Sequence, residues 1–128
     1  MGRTWLNQQA LGYAKENPLT GVGAGSFVIQ LAERAGEFNF VEPVHNVPLL
    51  ILSELGLIGV VILTVLVFLI AKSIVNASAP QAIIAGALLA GFGVIALFDH
   101  YLWSLAPGRM LLGLALGLWQ GQIQAADE

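Results

Sequence analysis

Residues 42–71 read EPVHNVPLLILSELGLIGVVILTVLVFLIA. The apolar run opens at Val47 and is long enough for a membrane-spanning helix, which needs roughly 20 apolar residues. Asn46 is a good N-cap for it, and Pro48 falls in the first turn, where a missing N–H costs nothing. Two features cut across the run. A polar His45–Asn46 pair stands at its mouth, and a carboxylate, Glu54, lies inside it. A charge at the centre of an inserted helix costs about 2.5 to 3.5 kcal/mol. Glu54 is therefore expected to face protein or water and to find a partner, with Arg3 and Arg109 as the candidates.

The rest of the chain agrees with a membrane reading. Of 128 residues, 57% are hydrophobic and only 10% are charged, against roughly 25% charged in a soluble domain. There is no cysteine, which excludes disulfides and thiolate metal sites. The net charge is −3, with no basic patch for nucleic acid. The opening MGRTWLNQQALGYAKENP has no apolar core of a signal peptide.

Charge divides the chain at His45. Before it lie Arg3, Lys15, Glu16, Glu33, Arg34, Glu37 and Glu42; between Asn46 and residue 126 there are only Glu54, Lys72, Asp99 and Arg109. In the front segment, Trp5, Leu6, Ala10, Tyr13 and Ala14 recur at helical spacing, with Thr4 placed to cap and Asn17-Pro18 to end the helix. LTGVGAGS is a glycine-rich turn. Ser26 is placed to cap a second helix, FVIQLAERA, closed by Gly36. EFNFVEP is a loop leading to His45. The expected fold class is all-α membrane: a segment of short helices over 1–46, then about three transmembrane helices near 47–72, 81–98 and 108–124. The second is rich in glycine and alanine, which lets helices approach closely in lipid. Between it and the third, DHYLWSLAPGR reads as a polar, aromatic interfacial hairpin.

The residues that could carry chemistry each have two readings. Gly21, Gly23 and Gly25 are a backbone nest for a phosphate or sugar, or a tight turn between helices. His45 is a general base near neutral pH, or a structural hydrogen-bonder. His100 is as good a hydrogen-bonder as His45. Glu54 is functional, or a packing and capping carboxylate. Arg3 is a phosphate-binding fork, or a solvated arginine. No zinc-site spacing is present.

Taken in order, Gly2-Arg3 with Trp5, NPLTGVGAGSF, VHNVPLLILSELGLIGVV and FDHYLWSL resemble the C-terminal part of the bacterial O-antigen ligase and O-antigen polymerase family. The resemblance covers nearly the whole chain. It implies a polytopic inner-membrane glycosyltransferase of GT-C-like helical fold, with the segment before His45–Asn46 facing the periplasm. Such enzymes move a glycan from an undecaprenyl-diphosphate carrier to an acceptor hydroxyl, such as that of the lipid A-core in lipopolysaccharide biosynthesis, with no metal or other cofactor. Carried over, His45 matches the histidine proposed to activate the acceptor hydroxyl, and Arg3 an arginine thought to bind the carrier's diphosphate. Asn46, Glu54, Gly21, Gly23 and Gly25 match supporting motif positions. Polymerase and protein-glycosylating members share these motifs. Members of the family carry many helices before the equivalent of Gly2, so the chain is expected to be part of a larger bundle. The competing readings are a non-enzymatic small membrane protein or inactive remnant, and a transporter fragment with Glu54 and Asp99 along its path.

Overall fold

The computed structural model describes residues 2–36 and 41–126. Its elements are α1 (Arg3–Glu16), α2 (Phe27–Ala35), α3 (Val47–Val75), α4 (Ala79–Phe98), α5 (Tyr101–Ser104) and α6 (Ala106–Ala126), with no strand among the described residues. Two of them, α3 and α4, are long and apolar enough to cross a membrane. α6 is long enough, but Arg109 and Gln120 dilute its apolar content.

α1 and α2 form a small head over the first turns of α3. Leu6, Ala10, Tyr13 and Ala14 of α1 are buried, as their spacing predicts. Leu6, Ala10 and Tyr13 join Phe27, Leu31, Val44 and Leu50 in the principal core. The Tyr13 and Phe27 rings meet edge to face at 5.7 Å, and the Arg34 guanidinium lies 4.5 Å over the Tyr13 ring. Arg34 also donates through both Nη atoms to the Glu16 carboxylate and so ties α2 to α1. Helix starts differ from expectation. α1 begins at Arg3 with Gly2 at its cap, so Thr4 is already helical. Ser26 precedes α2 but makes no side-chain cap bond. Gly36 does close α2, at φ 66°.

Arg34 holds the Glu16 carboxyl below its usual value, chiefly through their hydrogen bonds. A lowered folded value means that the stabilisation is complete above the unfolded value near 4.5 and is lost as pH falls through the folded one. Acidification should therefore lower the amide-exchange protection factors in α2, each taken against the intrinsic rate at the same pH. The effect is small, because the pair is half exposed. Arg34→Ala should remove the pH dependence; if it persists, another group is responsible.

The element that decides the fold is not a simple helix. Gly56 breaks α3 with φ 64° and ψ −159°. A break strands two N–H groups and two carbonyls of the helical ladder, and the glycine-rich loop supplies all four partners. Leu57 N–H donates to the Pro18 carbonyl (2.9 Å) and Ile58 N–H to the Leu19 carbonyl (3.2 Å). In return, the Ser53 carbonyl accepts from Val22 N–H and the Glu54 carbonyl from Gly23 N–H, both at 2.9 Å. Two glycines make this approach possible. A Cβ at Gly21 would strike the Glu54 backbone, and one at Gly56 would strike the Leu19 backbone. Irregular backbone near lipid is tolerated only where protein satisfies it, and here it does.

The break also marks where α3 changes surroundings. Before it, Val47, Leu50, Ile51, Ser53 and Glu54 are buried. After it, Leu57, Ile58, Val61, Ile62, Val65, Leu66 and Phe68 are all exposed, an apolar surface far too continuous for water. Leu57–Val75 is about 29 Å long at the helical rise, close to the ~30 Å hydrocarbon core. The expected run from Val47 is thus divided. Its first turns belong to the head, and Glu54 lies on the head side of the break.

Candidate functional site

Glu54 organises the centre of the head. It is 4% exposed, so its charge needs partners. Oε2 accepts from Gly25 N–H and from the Trp103 indole N–H, both at 3.0 Å, and Oε1 accepts from Phe27 N–H at 3.3 Å. The carboxylate therefore sits at the N-terminus of α2, where helix N–H groups and the macrodipole favour an anion. Neither Arg3 nor Arg109 pairs with it, contrary to expectation. Backbone donors reach it first, and Arg109 instead donates to the Trp103 and Ser104 carbonyls at 2.9 and 3.1 Å. The same contacts correct the nest reading of Gly21, Gly23 and Gly25. The N–H groups of Val22 and Gly23 bond the broken helix, and that of Gly25 bonds Glu54, so the protein's own groups fill the nest. Gly21 serves the close approach.

Through Trp103, Glu54 fixes α5, and α5 fixes the second half of the site. Glu54→Gln should lower stability by about 2–3 kcal/mol, because an amide offers one acceptor oxygen where two are used. Trp103→Phe should cost about 1 kcal/mol. Thermal unfolding in detergent reads both, and an unshifted midpoint for Glu54→Gln would contradict this assignment.

His45 stands one residue before the cap of α3. Asn46 Oδ1 accepts from Leu49 N–H at 2.8 Å, the cap its sequence position predicts. Its Nδ2 donates to the Leu97 carbonyl near the end of α4 at 3.0 Å. One side chain thus pins the His45 corner to the Asp99–His100 turn. Asp99 Oδ1 accepts from Tyr101 N–H at 2.9 Å, and His100 precedes α5. The His45 and His100 rings face each other with centroids 5.0 Å apart. His45 Nε2 lies 3.4 Å from Glu42 Oε2. The Nδ1 atoms of both histidines are enclosed and have no hydrogen-bond partner among the described residues. His45, Asp99 and His100 each offer a ligating atom, all within 4.8 Å of one another, an arrangement that could also hold a metal.

Beside this pair runs a cleft of about 590 Å³ lined by Gly25, Glu54, His100, Trp103, Ser104 and Arg109, among others. His100 belongs to both the cleft and the histidine pair. His100, Trp103 and Arg109 share one hairpin in the sequence, but nothing there put that hairpin against Glu54 as the wall of a cleft. Their only signal was the polar, aromatic run DHYLWSLAPGR between two apolar segments. Arg3 is elsewhere: it is exposed in the first turn of α1, without a hydrogen-bond partner among the described residues, and it does not line the cleft. Gly108 brings α6 close to α5, since a Cβ there would meet the Tyr101 carbonyl.

A search of curated proteins and one of solved structures find no match. The family model described as O-Antigen ligase matches residues 1–64, which hold α1, the glycine-rich loop, α2, His45 and the broken first half of α3. With half of its length matched, including both sides of the loop–helix interlock, the chain belongs to the O-antigen ligase family.

Proposed function

We propose that the protein is part of a glycosyltransferase that moves a glycan from an undecaprenyl-diphosphate carrier to an acceptor hydroxyl at the outer face of the bacterial inner membrane. The observation that carries this reading is His45. It is partly buried at the lip of a membrane-length helix, and its Nδ1 is enclosed and unpartnered. A donor and a glycolipid acceptor are both amphipathic, with lipid tails in the bilayer and sugars above it. A base that serves both has to stand at that boundary. The membrane surface lies near Gly56, residues 2–36 and 41–55 form the extracytoplasmic head, and α6 is a third span with a polar C-terminal end.

In the proposed reaction, the acceptor hydroxyl gives its proton to His45 as its oxygen attacks the anomeric carbon. The anomeric carbon–oxygen bond to the diphosphate breaks, and the bonding pair leaves with the diphosphate. His45 suits the task because an imidazole takes a proton near neutral pH. Glu42 beside Nε2 favours the proton on that nitrogen, which leaves the Nδ1 lone pair as the base. The exposed Arg3 guanidinium is assigned to the departing diphosphate, whose charge grows as the bond breaks. Such an interaction lowers the barrier because it strengthens toward the transition state. No cofactor or metal takes part. Asn46, Glu54 and the loop glycines hold the geometry.

The test is reconstitution. The protein expressed from its native gene is placed in proteoliposomes with an undecaprenyl-diphosphate-linked glycan and a glycolipid acceptor. Protein-dependent appearance of glycosylated acceptor is expected. A folded protein that leaves donor and acceptor unchanged would sink the proposal.

A further inference from the structure

We propose that His100, with Asp99 beside it, forms the second half of a hydroxyl-binding site whose first half is His45, so that the reacting hydroxyl sits between two imidazoles. The inference rests on the glycan-transfer reading and names the seat of the hydroxyl which that reading requires.

Three observations carry it. The first is the pair of enclosed Nδ1 atoms, one on each histidine, with no hydrogen-bond partner among the described residues. A shielded imidazole nitrogen without a hydrogen bond is costly, and two side by side call for a common occupant. The second is that the arrangement is held from both sides. Asn46 bridges the His45 corner to the Leu97 carbonyl, and the Asp99 carboxylate caps Tyr101 N–H, so neither ring is on a loose loop. The third is spacing. The ligating atoms of His45, Asp99 and His100 lie within 4.8 Å of one another. An oxygen at ~2.8 Å from two atoms bridges separations up to that bound, at an angle of ~118° or less, within reach of a hydroxyl's proton and lone pairs. A zinc ion at ~2.1 Å in tetrahedral geometry needs its ligands only ~3.4 Å apart. Separations within that bound admit a hydrogen-bonded oxygen, and the shorter ones a metal as well.

The hydrogen-bond inventory of a hydroxyl then matches the site. A hydroxyl has one proton and two lone pairs. The proton points to His45 Nδ1. One lone pair accepts from the His100 imidazole. The other is left to attack the anomeric carbon, and the proton moves to His45 as that bond forms and the diphosphate bond breaks. His100 also lines the 590 Å³ cleft, whose Trp103 ring and polar Ser104 and Arg109 suit the sugar that carries the hydroxyl. The cleft is therefore assigned to the acceptor.

The test measures acceptor and donor dependence separately, with the protein expressed from its native gene in proteoliposomes and its amount followed by blot. His100→Ala should lower kcat/KM for acceptor by ~10-fold or more, the usual loss for one hydrogen bond to a buried hydroxyl, while the donor KM stays within about twofold. His100→Gln keeps an N–H donor and should recover several-fold of the loss. If His100→Ala does not accumulate, His100→Gln decides alone: a reduced acceptor kcat/KM with unchanged donor KM supports the site, and a wild-type value overturns it. An unchanged acceptor kcat/KM in His100→Ala, or an equal loss for donor and acceptor, also overturns it. His45→Ala run in parallel separates the two ideas. If wild type leaves donor and acceptor unchanged, the transfer reading fails; if His45→Ala transfers normally, His45 is not the base and the hydroxyl seat falls with it. If His45→Ala is inactive while both His100 variants behave as wild type, only the hydroxyl seat fails.

Discussion

Gly56→Ala should prevent the protein from accumulating in membranes, or lower its unfolding midpoint sharply. The backbone at Gly56 combines φ 64° with ψ −159°, a region essentially reserved for glycine and worth about 1–3 kcal/mol of strain for any other residue. The added methyl would also fall on the Leu19 backbone. One escape is to straighten the helix, so that Leu57 and Ile58 bond back to Ser53 and Glu54. That would expel the loop and strand Pro18, Leu19, Val22 and Gly23, the four groups now paired with the break. Either route removes at least about 3 kcal/mol from a fold whose total stability is of the order of 5–15 kcal/mol. Gly21→Ala should do similar harm, since its φ is 64° and its Cβ would strike the Glu54 backbone. Gly25 provides the contrast. Its φ is 72°, but nothing lies within 4 Å of an added Cβ, so Gly25→Ala should cost only the ~1–2 kcal/mol of a left-handed alanine. Equal behaviour of the Gly56 and Gly25 variants would mean that the interlock is not what holds the head.

His45→Ala should reduce transfer by about 10²–10⁴-fold, the usual contribution of a positioned general base, with the protein present at its normal level. The separation of activity from folding follows from the contacts. The His45 side chain is partly exposed, its ion-pair partner is the exposed Glu42 at 3.4 Å, and its Nδ1 bonds nothing among the described residues. Its removal leaves the core of Leu6, Tyr13, Phe27 and Leu50 intact. Asn46→Ala should act in the opposite sense. It loses an N-cap worth about 1 kcal/mol and the bridge to Leu97, so it should lower the unfolding midpoint as well as the rate. A His45→Ala protein that folds and transfers at the wild-type rate would remove the histidine from the reaction.

The two predictions differ in how far they were visible in the sequence. The helical spacing of Leu6, Ala10, Tyr13 and Ala14, the Asn46 cap with Pro48, and the two apolar runs are local patterns, and each reads correctly from neighbours a few residues apart. His45 stood out for the same reason: a histidine before a capped apolar helix is conspicuous. The break at Gly56 was not. LGLIGVV reads as continuous apolar helix, and a single glycine inside a helix costs only ~1 kcal/mol. The break is set by a loop docked more than thirty residues earlier in the chain, and its signal was two separate glycine motifs whose contact no periodicity reveals. Glu54 was visible as an anomaly, but its partners were misjudged. A buried carboxylate suggests an arginine, whereas these donors are backbone N–H groups 27 and 29 residues away and an indole 49 residues on. The His100 ring likewise reaches His45 only because Asn46 bonds Leu97, 51 residues distant.

The most direct measurement of the central claim is the anomeric configuration of the transferred sugar. A hydroxyl activated by His45 attacks the anomeric carbon from the side opposite the departing diphosphate, in one step. NMR of the product linkage, compared with the lipid-linked donor, should therefore show inversion. Retention would require a covalent sugar–enzyme intermediate and two displacements, and would contradict a mechanism in which His45 serves as the base.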